Sequence, residues 1–253
     1  IQKQGFLRLN DLIKLQKIIL KNDAGVRSTP GTVLKNDKTG EVVYTPPQEK
    51  DEILKLLSNF LEHFNMNQNE LPVLINLAIL HHQFESIHPF YDGNGRIGRI
   101  LNILYLILNG LINVPILYLS SFIIQNKAEY YRLLNLVNNT NEWEEWILYM
   151  LKAVEQPSLK LLVKIGAIKR LLDKTIEITQ KEAPKIYKKE LIELLFEQPY
   201  SKIEFVSKKL SVERKAASRY LKKMEEIGIL RSEKVGRETL YINIALIDVL
   251  KIR

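Results

Sequence analysis

The sequence predicts a mainly α-helical protein with a small β component, arranged as successive modules, and three observations carry that prediction. Apolar residues recur at helical spacing through residues 10–20, 52–64, 71–84 and 97–107. Strand-like stretches are short and few, at 41–45, 229–233 and 239–244, and glycine-bearing turns accompany them. The chain of 253 residues, 46% hydrophobic and 26% charged, has room for about two domains with real cores.

Taken in order, Asn10 reads as the N-cap of a helix to residue 20, with Leu12, Ile13, Leu15, Ile18, Ile19 and Leu20 on its apolar side. Residues 22–48 are rich in Gly, Pro, Asn, Asp and Lys. Within them Asp37-Lys38-Thr39-Gly40 marks a turn before the strand-like residues 41–45, which taken alone make a surface hairpin. Helical patterns at 52–64 and 71–84 then deliver the chain to His88. The dense apolar run Ile97, Ile100, Leu101, Ile103, Leu104, Leu106 and Ile107 predicts a buried helix starting at a glycine turn. Trp143 and Trp146, three apart, read as core residues of a later helix.

The most informative stretch is His88-Pro89-Phe90-Tyr91-Asp92-Gly93-Asn94-Gly95-Arg96-Ile97-Gly98-Arg99. Gly93 and Gly95 let the backbone around Asn94 turn sharply and bring its N–H groups close to an anion. The helix start that follows supplies unpaired donors and a positive dipole end. Arg96 and Arg99, three apart, can reach one polyphosphate together. Asp92 can hold Mg²⁺, an ion that takes one or two protein carboxylates plus substrate phosphates. His88 titrates near neutral pH and can accept a proton from a hydroxyl. Phe90 reads as an anchor in the core.

This stretch resembles the signature of the Fic family, His-x-Phe-x-(Asp/Glu)-Gly-Asn-Gly-(Arg/Lys)-x-x-Arg, at every specified position. Gly25-Val26-Arg27, Thr29-Pro30-Gly31, Val43-Tyr44-Thr45-Pro46-Pro47, residues 78–85, residues 115–120 and Glu129-Tyr130-Tyr131 are similar to further landmarks, so the likeness covers roughly residues 5 to 155. The resemblance implies a Fic-type helical domain that moves AMP from ATP to a Ser, Thr or Tyr hydroxyl of a protein, itself included, and releases pyrophosphate. It implies His88 as the base, Asp92 as the Mg²⁺ ligand, Gly93, Asn94 and Gly95 as the anion hole, and Arg96 and Arg99 on the β- and γ-phosphates. It makes the hairpin a flap, with Val43, Tyr44 and Thr45 pairing with the target's backbone. Lys stands at the position of Gly95 in the family's kinase-like branch, so Gly95 favours AMP over phosphate transfer. His81 is implied to be structural, and with His82 and Glu85 it does not make a His-Glu-x-x-His metal motif.

The second module follows a helical linker. Residues 188–196 read as one helix, Ser201-Lys202-Ile203-Glu204 as a capping box opening a second that ends near Leu210, and residues 213–227 as a third closed by Gly228. Two strand-like stretches flank the turn Val235-Gly236-Arg237. The order resembles a winged helix-turn-helix. The expected division is a Fic-type domain at 1–160, a helical linker at 161–180 and the winged module at 181–253. Residues 181–253 hold 17 Lys and Arg against 11 Asp and Glu, a net +6 of the chain's +8. Arg214, Lys215, Arg219 and Arg237 are the candidate nucleic-acid contacts, with the third helix in a major groove and the wing on phosphates. A solvated basic face, or a module that docks a protein, fits the same residues.

The 0 Cys exclude a disulfide framework and cysteine zinc sites. No apolar stretch reaches membrane-spanning length without polar interruption, since Asn102 and Asn109 break the longest. The expectation is a cytoplasmic enzyme whose partners are a hydroxyl-bearing protein and, through the winged module, DNA, with self-association left open. The competing reading is a DNA-binding regulator whose first domain only senses nucleotide, and the presence of a base at His88 favours the enzyme. Many Fic proteins restrain themselves with a (Ser/Thr)-x-x-x-Glu-(Gly/Asn) helix whose Glu pairs with the motif's second Arg. No stretch here matches it, so that helix is expected upstream of Ile1, removed, or on a partner.

Overall fold

A computed structural model describes residues 5–35, 40, 42–66 and 71–251. Asp37, Lys38, Thr39 and Glu41, part of the expected turn and strand, lie outside these residues. The chain divides into two compact units, Ile1–Ser158 and Leu159–Arg253.

The first unit contains α1 (Leu9–Leu20), the strand pair β1 (Leu34–Lys35) and β2 (Val42–Tyr44), α2 (Lys50–Asn65), α3 (Val73–Ile87), α4 (Asn94–Leu108), α5 (Ser120–Gln125), α6 (Lys127–Thr140) and the start of α7 (Glu144–Glu182). The expected cap of the first helix is displaced. Asn10 lies inside α1, and the N-cap is Arg8, whose backbone N–H donates to the Asp11 carboxylate at 3.1 Å. The reciprocal carboxylate bond at the third helical position outcompetes an asparagine two residues into the helix.

α3 is the central element. Leu77, Ala78, Leu80, Phe84 and Ile87 are buried on it together with the polar Asn76, His81, His82 and Glu85. Helices α2 and α4 pack along it, with Phe60 and Phe64 of α2 meeting Phe84 and Tyr105 at ring separations of 5.6 and 5.1 Å. Trp146 is wholly buried and its indole N–H donates to the Ala78 carbonyl at 2.9 Å. Trp143 differs from expectation. It precedes α7, is only half-buried and spends its N–H on Asn141.

In the second unit the rest of α7 leads to a 3-10 turn at Pro184–Ile186, then α8 (Lys189–Glu197), β3 (Tyr200–Ser201), α9 (Ile203–Leu210), α10 (Arg214–Glu226), β4 (Arg231–Val235), β5 (Glu238–Ile242) and α11 (Ile244–Leu250). The expected linker 161–180 is continuous helix within α7. The antiparallel sheet runs β3-β5-β4, so the order helix, strand, helix, helix and a two-stranded wing is that of a winged helix. Gly236 turns the wing at φ 60°. The expected capping box is absent: Ser201 pairs with Tyr241 in the sheet, and Lys202 takes the N-cap position of α9. Residue 244, read as the end of a strand, starts a helix instead, because the Asn243 side chain caps it by accepting from Leu246 N–H at 3.0 Å. Leu191, Leu195, Val206, Leu221, Met224 and Tyr241 form this unit's core.

Candidate active site

The site is built where α3 ends and α4 begins. His88 is the C-cap of α3 at φ 47°, a left-handed conformation that costs a non-glycine residue energy and persists only where surroundings impose it. Arg27 imposes it. Its side chain is fully buried, its Nε donates to the His88 carbonyl at 2.7 Å, and its Nη2 donates to the carbonyls of Ile87, at 3.3 Å, and Pro47. The Arg27 N–H donates to the Pro89 carbonyl at 2.9 Å, and Val26 forms a β-bridge with Phe90, itself 0% exposed as expected of an anchor. Asn94 closes the other side of the loop. Its amide oxygen accepts from Phe90 N–H at 2.9 Å and its amide nitrogen donates to the Phe90 carbonyl at 2.7 Å.

His88 Nδ1 lies 3.3 Å from the Glu85 carbonyl, which can only accept, so Nδ1 carries the proton and Nε2 is the basic atom. Burial lowers the pKa of His88 below the usual imidazole value, with the Glu85 carbonyl opposing. The ring is therefore neutral at pH 7.

Gly93 is the N-cap of α4 at φ 83°, a conformation glycine adopts without penalty. No side chain caps this helix, so the N–H groups of Asn94, Gly95 and Arg96 point out of its first turn. Asp92 accepts from Gly93 N–H at 2.6 Å and from Arg96 Nη2 at 3.2 Å. The two expected phosphate-binding arginines are thus unlike: Arg96 is paired and exposed, whereas Arg99 is half-buried with no ion pair among the described residues. Asp92 is an exposed carboxylate beside this helix start, a group that could hold Mg²⁺ together with phosphate oxygens, and among the described residues no group of three His, Asp or Glu stands together.

Strands β1 and β2 pair antiparallel, Leu34 opposite Tyr44 and Lys35 opposite Val42. Tyr44 is half-buried and its hydroxyl donates to the Ser86 carbonyl at 3.1 Å, which ties the strand pair to the last turn of α3. Val43 sits in β2, and Thr45 is exposed just after it. His81 is engaged at both nitrogens: Asn102 donates to Nδ1 at 3.2 Å, so Nε2–H faces the Tyr130 hydroxyl at 3.0 Å. Burial pushes its pKa down to about 3, leaving it neutral. In the second unit Arg214, Lys215, Arg219 and Arg237 are all exposed, the first three on α10 and the last in the wing turn.

Two residues escaped sequence reasoning. Arg27 stood only in a landmark tripeptide, and Glu85 only at the end of the landmark stretch 78–85 and in a rejected metal set. A lone charge far from the motif carries no periodic signal, and only burial reveals it.

The first unit is thus a helical domain that presents a neutral imidazole at one helix end and an uncapped glycine-led helix start beside it. Residues 6–106 match the Fic/DOC family, and residues 171–246 match the C-terminal domain of SoFic-like protein adenylyltransferases. The chain therefore carries a Fic/DOC family domain followed by a SoFic-like C-terminal domain. It is similar to a probable protein adenylyltransferase of Aquifex aeolicus, 42% identical over 69 residues. That match spans 27% of this chain and 20% of the relative's length. The fold is similar to the crystal structure of a Fic family protein from Desulfovibrio desulfuricans, with a TM-score of 0.54 and 18% identity over 93% of this chain and 68% of that one.

Proposed function

We propose that this protein is an adenylyltransferase that moves AMP from ATP to a Ser, Thr or Tyr hydroxyl of a protein, itself included, with His88 as general base. The observation that carries this reading is the neutral His88, its basic Nε2 fixed by the Nδ1–H bond to Glu85, at the end of the helix preceding the uncapped start of α4. Nε2 accepts the hydroxyl proton while the hydroxyl oxygen bonds to the α-phosphorus. The bond from that phosphorus to the bridging oxygen breaks, and pyrophosphate leaves with the electron pair. The N–H groups of Asn94, Gly95 and Arg96 receive the phosphate oxygens, Arg96 taking the place expected of Gly93, whose own N–H is spent on Asp92, and the Arg96 and Arg99 side chains neutralise the leaving group. Mg²⁺ held by Asp92 would add charge neutralisation on the phosphates. The strand pair supplies backbone edges at Val43, Tyr44 and Thr45 for the target's chain. A cytoplasmic site of action, with its ATP, fits this chemistry.

Intact-protein mass analysis after incubation with Mg²⁺ and each nucleoside triphosphate tests the reading, and an adenylyl gain from ATP is the expected result. A gain of phosphate or of another nucleotide overturns it. So does the absence of any labelled protein when the enzyme and radiolabelled ATP are added to a cell extract.

One observation favours a second role for the winged unit. Between α10 and the 3-10 turn lies a groove of about 910 Å³ whose charged lining is Lys185, Lys215, Arg219, Lys222 and Lys223 with Glu182 and Glu226, a balance that is net positive. Its charge suits the phosphates of duplex DNA, bound with α10 in the major groove and Arg237 on the backbone.

A further inference from the structure

Glu85 is a carboxylate that the adenylyl-transfer chemistry does not use. It is 7% exposed, on the last turn of α3, and its Oε1 has no hydrogen-bond partner among the described residues. What brings it to the site is the absence of side chains on α4. A β-carbon on Gly98 would stand 2.4 Å from Glu85 Oε1, closer than atoms can approach, so Gly98 exists there as the slot that admits the carboxylate. A β-carbon on Gly95 would lie 3.2 Å from Arg99 Nη1 and 4.0 Å from both Glu85 oxygens. The bare α-carbon of Gly95 thus leaves the guanidinium and the carboxylate facing each other across it, near enough for their charges to interact and with no ion pair between them among the described residues.

The groups facing Glu85 can be named from each element packed on it. From α4 comes Arg99, whose charge stabilises the carboxylate. From α6 comes Tyr130, whose phenol the Glu85 charge and its own burial hold protonated. One turn back on α3 is His81, neutral and spent on Asn102 and Tyr130. Arg99 is the cation of this set. Burial nevertheless outweighs it and pushes the Glu85 pKa up to about 7.

We propose that Glu85 is the positioning residue of Arg99: its carboxylate, seated on the α4 backbone at Gly98, holds the guanidinium beside Gly95 until an incoming polyphosphate takes it over. The inference rests on the reading of Arg99 as a phosphate ligand. When phosphate oxygens engage Arg99, Glu85 loses its counter-charge in a site that cannot hydrate it, and takes a proton from solvent to become the neutral acid. Nucleotide binding is therefore coupled to uptake of one proton at a residue that never touches the nucleotide.

The test is calorimetric titration of the whole chain with Mg²⁺ and an ATP analogue whose α–β bridge cannot be cleaved. It is run between pH 7.5 and 8.5 in buffers of different ionisation heat, on the parent and on Glu85→Gln. The parent is expected to take up close to one proton per nucleotide, and its affinity to fall up to about tenfold per pH unit relative to the variant. Glu85→Gln, nearly isosteric, should lose both the uptake and the pH dependence while retaining affinity, because an amide does not compete for the guanidinium. A residue that only supported the fold would shift melting temperature and affinity without removing the proton. Equal uptake in the two proteins overturns the proposal. So does a parent that binds nucleotide with no uptake, a result that needs no variant to fold. A parent without affinity for the analogue would refute the adenylyl-transfer reading itself, and this proposal with it.

Discussion

Arg27→Met tests whether one buried guanidinium ties the loop of His88 to the segment that follows the strand pair. The substitution keeps most of the side-chain length and removes the donors to the carbonyls of Ile87, Pro47 and His88. Three stranded acceptors at about 1–2 kcal/mol each would cost about 3–6 kcal/mol. Relief of the desolvated charge, whose Nη1 has no partner, offsets part of this and leaves a net loss of about 2–4 kcal/mol. That is a large fraction of a typical domain stability of about 5–15 kcal/mol. Trp143 and Trp146 both lie in the first unit, so a urea titration followed by tryptophan fluorescence reports on that unit alone. With a slope of about 2 kcal/mol per molar urea, the midpoint should fall by about 1–2 M. Adenylyl transfer at a urea-free temperature where the variant is folded should fall at least tenfold, because His88 loses the contact that holds it at φ 47°. Arg27→Lys, with the charge but without the fork, should lie between the two. An unmoved midpoint together with parental transfer would refute the assignment.

The remaining predictions concern the site and the basic helix. His88→Ala should lower AMP transfer by about 10²–10⁴ while calorimetry still detects ATP binding, and near-normal transfer removes His88 as the base. Because burial lowers the His88 pKa and only the neutral ring accepts a proton, transfer by the parent at saturating ATP should rise with pH to a midpoint below 6.5 and be flat above it; a pH–rate profile at saturating ATP still climbing above pH 7 contradicts this. Asp92→Ala should leave little activity for added Mg²⁺ to stimulate and barely change the melting temperature, since the carboxylate is exposed; Mg²⁺ activation equal to the parent's places the ion elsewhere. Replacing Arg214, Lys215 and Arg219 with Ala should weaken duplex binding and reduce its salt slope by about one per lost phosphate contact, with AMP transfer unchanged. Fluorescence anisotropy at several salt concentrations reads this, and a parent that fails to bind duplex at low salt retires the DNA role.

Much of the molecule was legible in the sequence because its signals are local. Apolar spacing located α2, α3, α4 and α10 to within a few residues, and glycine located the turn before α4 and the turn of the wing. The motif from His88 to Arg99 needed no contacts to be read, since its groups lie within four turns of chain. Capping was less legible. Asn10 and Ser201 are both good cap residues, yet Asp11 and the sheet partner Tyr241 decided those ends. Residues 243 and 244 read as the end of a strand because Ile suits either structure, and the Asn243 cap turned the balance toward a helix from Ile244.

The sequence by itself thus determined the helical class, the winged order and the chemical kit between His88 and Arg99. The tertiary structure decided which atom of His88 is basic, which arginine has no ion pair among the described residues, that Arg27 holds the His88 loop, and that Glu85 is buried against α4. The reason is that periodicity reports on neighbours one helical turn apart, whereas the state of a buried charge is set by burial and by partners brought from distant elements. Arg27 meets His88 across 61 residues, and Glu85 reaches the α4 backbone only because Gly98 carries no β-carbon there.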